Sequence, residues 1–88
     1  MMQEILHDAL ERRKRGIDPI PMEMVVLRSY DVEIDKLQDV IGTFYPCYSS
    51  TNWEVGRFWL TKELTVQQLA FLVDMEQTNR LFAWSVFV

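Results

Sequence analysis

At 88 residues the chain is one domain, of a size that buries roughly 60–65% of the surface its unfolded form exposes, and 49% hydrophobic with 12% aromatic content excludes a disordered polymer. A net charge of −4 excludes an overall attraction to nucleic acid or to an anionic membrane. The charge is uneven: four of nine basic residues stand together at Arg12-Arg13-Lys14-Arg15, and from Gly16 onward five cations meet ten acids, a net of −5.

Apolar Met2, Ile5, Leu6, Ala9 and Leu10 recur at three- and four-residue spacing, which predicts a short amphipathic helix within residues 1–16. Glu4 and Asp8 lie early, the four cations late, as the helix dipole favours, and Gly16 supplies a C-cap. So short a helix is marginal alone, so its stripe must rest on the body of the domain or on another chain. Residues 17–21, Ile17-Asp18-Pro19-Ile20-Pro21, form an extended linker, because each proline biases its predecessor away from helical angles.

The body spans 22–88. Met22 to Tyr30 reads as a strand with Val25 and Leu27 on one side and Met24, Val26, Arg28 and Tyr30 on the other. Asp31 is placed to cap a helix from about Val32 to Phe44, with Ile34, Leu37, Val40, Ile41 and Phe44 inward and Glu33, Lys36 and Asp39 wet. Tyr45-Pro46-Cys47-Tyr48 contains a proline, so as a strand it belongs at an edge. After a turn at Ser49-Ser50-Thr51-Asn52, Trp53 to Lys62 returns as a strand, with Trp53, Val55, Arg57 and Trp59 on one side and Phe58 and Leu60 on the other. Apolar on both sides, it is expected in the middle of the sheet, with cover above and below.

Thr65 and Gln68 make a capping box, Leu64 and Leu69 occupy the hydrophobic-staple positions, and Asn79 is a left-handed stop for the helix between them. Leu81 to Val88 closes the chain as a strand with Leu81, Ala83 and Phe87 facing one way and Phe82, Trp84, Val86 and Val88 the other, again apolar on both faces and expected inside the sheet. The order predicts an α+β domain: a ferredoxin-like βαββαβ two-layer sandwich with a three- or four-stranded antiparallel sheet, preceded by the N-terminal helix.

Two helices shield one face of such a sheet. With Phe58, Leu60, Val25 and Leu27 turned to the helices, the other face shows Met24, Val26, Tyr30, Trp53, Val55 and Trp59, more apolar surface than a monomer ordinarily exposes. Its cover is expected to be the protein's own N-terminal helix, a second copy of the chain in a homodimer, or another protein. The candidate partner-binding residues are Trp53, Arg57, Trp59, Trp84 and Tyr30, since Trp, Tyr and Arg concentrate in binding hot spots, together with Arg12, Arg13, Lys14 and Arg15. The bland reading of the basic run is a solvated helix end whose cations pair with Asp8 and Glu11.

No chemistry-bearing motif emerges. Cys47 and His7, each the single residue of its kind, read as a structural cysteine and a surface histidine rather than a nucleophile and its base. Asp31, Glu33 and Asp35 lack the glycine and terminal glutamate of a calcium loop, and Gly16, Gly42 and Gly56 stand too far apart for a phosphate loop. No metal, cofactor or enzymatic activity is expected. One cysteine, an acidic start at Met1-Met2-Gln3-Glu4 and no apolar run near ~18 residues lead to a cytoplasmic expectation without membrane contact. The function expected is therefore a non-enzymatic protein-binding module; small acidic domains of this kind are common among phage and mobile-element proteins that inhibit or redirect a host machine, a comparison resting on size and charge alone.

The alternative is a single-stranded nucleic-acid-binding module of the RNA-recognition type. Gly56-Arg57-Phe58-Trp59-Leu60 shares a glycine and an aromatic pair with that module's third-strand pattern, but the glycine precedes the arginine and a second small residue is missing. Phosphate neutralisation dominates such binding, and five cations spread over the body do not make a groove.

Overall fold

A computed structural model of the protein describes residues 4–41, 45–49 and 52–86, in the order α1 (Ile5–Lys14), β1 (Met22–Ser29), α2 (Ile34–Ile41), β2 (Tyr45–Ser49), β3 (Trp53–Leu60), α3 (Val66–Gln77) and β4 (Leu81–Ser85). Expectations placed on Met2, Gly42, Phe44, Ser50, Thr51, Phe87 and Val88 lie outside the described residues, and so do the side chains of Ile34, Ile41 and β2. The domain is α+β: β3, β1 and β4 form a three-stranded antiparallel body, and β2 pairs along the outer side of β3, giving the order β2-β3-β1-β4.

The helix ends follow from local chemistry. At the start of α3 the Gln68 N–H donates to the Thr65 hydroxyl at 3.1 Å and the Thr65 N–H donates to Gln68 Oε1 at 2.9 Å, so two orphan donors are satisfied reciprocally. At its end Asn79 takes φ 59°, and the N–H groups of Asn79 and Arg80 return to the carbonyls of Glu76 and Met75. Gly16, at φ 75°, closes α1 the same way: its N–H and that of Ile17 return to the Arg13 and Arg12 carbonyls at 3.0 and 2.9 Å. Both are Schellman closures, which need a left-handed residue. Asp31 does not cap α2. Val32 is drawn into the core, 3% exposed, with its N–H on the Ser29 carbonyl, so the chain is still turning there and helix begins only at Ile34.

Residues facing each other across an antiparallel pair share a side of the sheet. Met22 faces Leu60, Met24 faces Phe58 and Arg28 faces Glu54 across β1 and β3, while Val26 faces Ala83 and Arg28 faces Leu81 across β1 and β4. Met24, Val26, Phe58, Leu60, Leu81 and Ala83 are buried in one core with Leu37, Leu69 and Leu72 of the helices. The expectation for β1 is thereby reversed: Met24 and Val26 turn to the helices, and Val25 and Leu27 turn away. Alternation alone could not orient a strand whose two sides are both apolar; only the pairing with Phe58 does.

One further expectation is corrected, and one of the three alternatives for the cover of the sheet falls away. β4 pairs with β1 alone and forms an edge of the sheet, not its interior. A strand's two faces report what lies above and below it, which is independent of what pairs beside it. The N-terminal helix does not cross the open side of the sheet: Leu6, Ala9 and Leu10 enter the same core as Phe58, and α1 packs chiefly on α3 with a lesser contact to β4. Its far end is tied down by Arg13, whose Nε donates to the Leu64 carbonyl at 3.1 Å and whose Nη2 donates to the Lys62 carbonyl. Pro19, fully buried, pins the linker that follows.

One polar contact is built into the core layer. Arg28 is 6% exposed, and its Nη2 and Nε donate to Glu54 Oε1 at 2.9 and 3.2 Å while Nη1 donates to the Val32 carbonyl at 2.9 Å. The pair joins β1, β3 and the turn into α2. Removing one partner strands a buried charge, so Glu54→Ala is expected to cost about 3 kcal/mol in urea unfolding. Arg28→Met with Glu54→Leu is expected to recover most of that loss.

Candidate docking surface

The side of the sheet away from the helices carries Glu23, Val25, Leu27 and Ser29 on β1, Trp53, Val55, Arg57 and Trp59 on β3, and Phe82 and Trp84 on β4, by the same pairing. No described element lies over it. Its two ends differ. At one, Trp53 reaches across the small Ser29 to Phe82, ring centroids 5.8 Å apart and tilted, so both rings are half-buried in each other. At the other, Trp59 is 60% and Trp84 42% exposed. They stand on the strands flanking β1, with Arg57 Nη1 donating to Glu23 Oε1 at 3.1 Å beside them.

The predicted partner-binding set is thus divided. Trp53, Arg57, Trp59 and Trp84 share this face, and Trp59 and Trp84 are its exposed anchors. Tyr30, 44% exposed, lies beyond the end of β1 on the alternation of Arg28, whose guanidinium carbon is 5.2 Å from the Tyr30 ring centroid; it belongs to the Arg28 side, not to the tryptophan face. The basic run is not one surface. Arg12 pairs with Asp8 at 3.1 Å and Lys14 with Glu11 at 3.3 Å, Arg13 is spent on the β3–α3 loop and on Asp18 at 3.4 Å, and exposed Arg15 holds the C-cap. Val25, Leu27, Glu23 and Phe82 are members of the face that β1's ambiguous alternation concealed. The opposed charges of Arg28 near the end of β1 and Glu54 near the start of β3 were the signal that could have set the register.

Both edges of the sheet are blunted. The N–H of Val86 donates to the Glu23 carbonyl and that of Ser29 to the Arg80 carbonyl, so along β4 the backbone groups of Phe82 and Trp84 turn to β1 and those of Leu81, Ala83 and Ser85 turn outward. The outward Ala83 N–H is met by the Glu76 carboxylate of α3, a side chain only 8% exposed. On the other edge β2 carries Pro46, and its register with β3 shifts between Pro46 and Tyr48. Neither edge invites another strand.

His7 lies on exposed α1, its Nε2 3.9 Å from Glu11 Oε1, on the β4 side of the domain. Cys47 belongs to β2, the edge strand at the opposite side of the sheet from β4. Among the described residues no group of three or more His, Cys, Asp or Glu is arranged to hold a metal ion, and no helix is long and apolar enough to cross a membrane. No family model, no curated protein and no solved structure matches this chain.

Glu76 also makes stability depend on pH. Burial raises its carboxyl above the ordinary value of 4.5, the Ala83 N–H opposes, and the Glu4 carboxylate adds to the rise. The folded state then holds this proton more tightly than the unfolded chain, so the contribution is full below 4.5 and is lost as pH rises through the elevated folded value. Glu76→Gln keeps an acceptor for Ala83 without the charge. It is expected to raise the urea midpoint at pH 7 and to lessen the loss of stability as pH rises above 4.5, with the midpoints of both chains compared across pH.

Proposed function

We propose that this chain is a non-enzymatic binding protein that docks on another protein through the open sheet face, on a ferredoxin-like βαββαβ plan with α1 added to the helical layer. Strand order β2-β3-β1-β4 and the placement of Leu37, Leu69 and Leu72 against one sheet face support that plan. The observation that carries the docking reading is the exposure of Trp59 and Trp84 on one face that no described element covers, on the two strands that flank β1. Isolated exposed apolar residues are ordinary; two tryptophans around Val25 and an ion pair form the kind of desolvatable centre from which binding energy comes. A partner held there could be inhibited or redirected by the bulk of the domain.

Base stacking is the weaker reading. Exposed tryptophans suit it, but Arg57, the cation on this face, is engaged by Glu23, and the body carries a net −5.

The reading is tested by affinity capture from the natural host with the unaltered chain and with Trp59→Ala/Trp84→Ala. Loss of the captured protein in the variant is expected with its circular dichroism retained, although Trp84, 42% exposed, packs in part on the sheet and its removal lowers stability. Equal capture by both places the site elsewhere.

A further inference from the structure

We infer that α1 is a pH-sensitive latch, closed on α3 while Glu76 is neutral and opening from its Glu4 end when Glu76 ionises. The latch lies in the helical layer, away from the tryptophan face, and does not rest on the docking reading. Its two ends are held unequally. At the far end Arg13 donates to the Lys62 and Leu64 carbonyls, and Pro19 behind it is fully buried. At the near end the N-cap residue is Glu4, whose side chain makes no capping hydrogen bond, so the first N–H groups lack the acceptor that a serine or aspartate supplies there. Between the ends the hold is apolar, through Leu6, Ala9 and Leu10 against α3 and β4. A helix of 10 residues is marginal alone, so local opening starts at the end that is not tied down.

The group that works the latch sits beside this loose end. Glu76, in the last turn of α3, is 8% exposed and continues the buried stripe of Leu69, Leu72 and Val73. Burial disfavours its charged form, the Ala83 N–H of β4 opposes that effect, and the Glu4 carboxylate at the entry to α1 adds to it. Among the described residues no cation is one of the groups that act on this carboxyl. His7, Asp8, Glu11, Arg12 and Arg15 lie along the outer groove of α1, and Arg80, just past α3, lines a cleft with Asp31, Glu33 and Lys36 on the α2 side. Undocking α1 carries Glu4 away and lets water reach Glu76, while the Ala83 N–H stays in place on β4. The open form therefore holds the Glu76 proton less tightly than the closed form, and loss of that proton favours opening. Leu6, Ala9 and Leu10 are then uncovered, together with the side of α3 they leave.

The test is amide hydrogen exchange followed by NMR on the full chain from about pH 4 to 8, expressed as protection relative to unstructured peptide. The Ala9 and Leu10 amides of α1 are expected to be less protected than that of Val26 in β1, because the latch opens without the rest of the domain. Their protection is expected to fall as pH rises past 4.5, the carboxyl's ordinary value, and to level off at the midpoint of Glu76 itself, read by carbon-13 titration of its carboxyl. The whole fall is expected to be about tenfold for each pH unit between those two values. Glu76→Gln, neutral at every pH, is expected to keep α1 protected at pH 7 and to remove the dependence. If that variant is unfolded, the exchange profile and the carbon-13 midpoint of the unaltered chain decide. Equal protection of Ala9 and Val26, α1 protection that ignores pH, a Glu76 midpoint at or below 4.5, or a pH response that survives in folded Glu76→Gln would each overturn the inference.

Discussion

A sheet that is apolar on both sides has only one layer of helices to cover it, and the shape of this molecule follows from that imbalance. Burial of Met24, Val26, Phe58, Leu60, Leu81 and Ala83 beneath the helices supplies the area-proportional driving force that folds the domain. All three helices contribute to that single core, α1 through Leu6, Ala9 and Leu10. Nothing described is left to shield Val25, Leu27, Trp59 and Trp84, and the surplus apolar surface sits where a partner can reach it. In a domain this small the core has little to spare, so committing α1 to the helical layer leaves the second face uncovered.

The polar contacts hold that arrangement rather than drive it. Arg28 and Glu54 are directly opposite across β1 and β3, so a slip of one strand past the other would break a buried ion pair as well as invert the apolar sides. Arg13 does the same for α1: by donating to the carbonyls of Lys62 and Leu64 it anchors the end of the helix to the loop that leads into α3. The capping box at Thr65 and the left-handed closures at Gly16 and Asn79 fix where the helices stop, which sets the length of each connection back to the sheet.

Protection of the edges and exposure of the face belong together. A small sheet with an open apolar side risks growth through its edges, since unpaired N–H and C=O groups template further strands. Glu76 bears the desolvation penalty of a buried carboxylate where it meets the Ala83 N–H, and its raised proton affinity records that cost. Pro46 and the irregular register of β2 blunt the other side. Both backbone edges are thereby less open to strand addition, while Trp59 and Trp84 stay exposed on the face.

The local signals were legible in the amino-acid order. Thr65 with Gln68, Asn79, Gly16 and the proline-bearing edge strand are each decided by a few neighbouring residues, and the separation of Trp53, Val55, Arg57 and Trp59 from Phe58 and Leu60 follows from the geometry of one extended strand. What the order of residues could not supply was which apolar side of β1 meets the helices, that β4 ends the sheet, that Tyr30 leaves the tryptophan face, and where α1 rests. Periodicity reveals that a surface is apolar but not what lies against it. That is chosen by contacts between residues far apart in the chain, such as Met24 with Phe58, Arg13 with Lys62 and Glu76 with Ala83, and those exist only once the domain has closed.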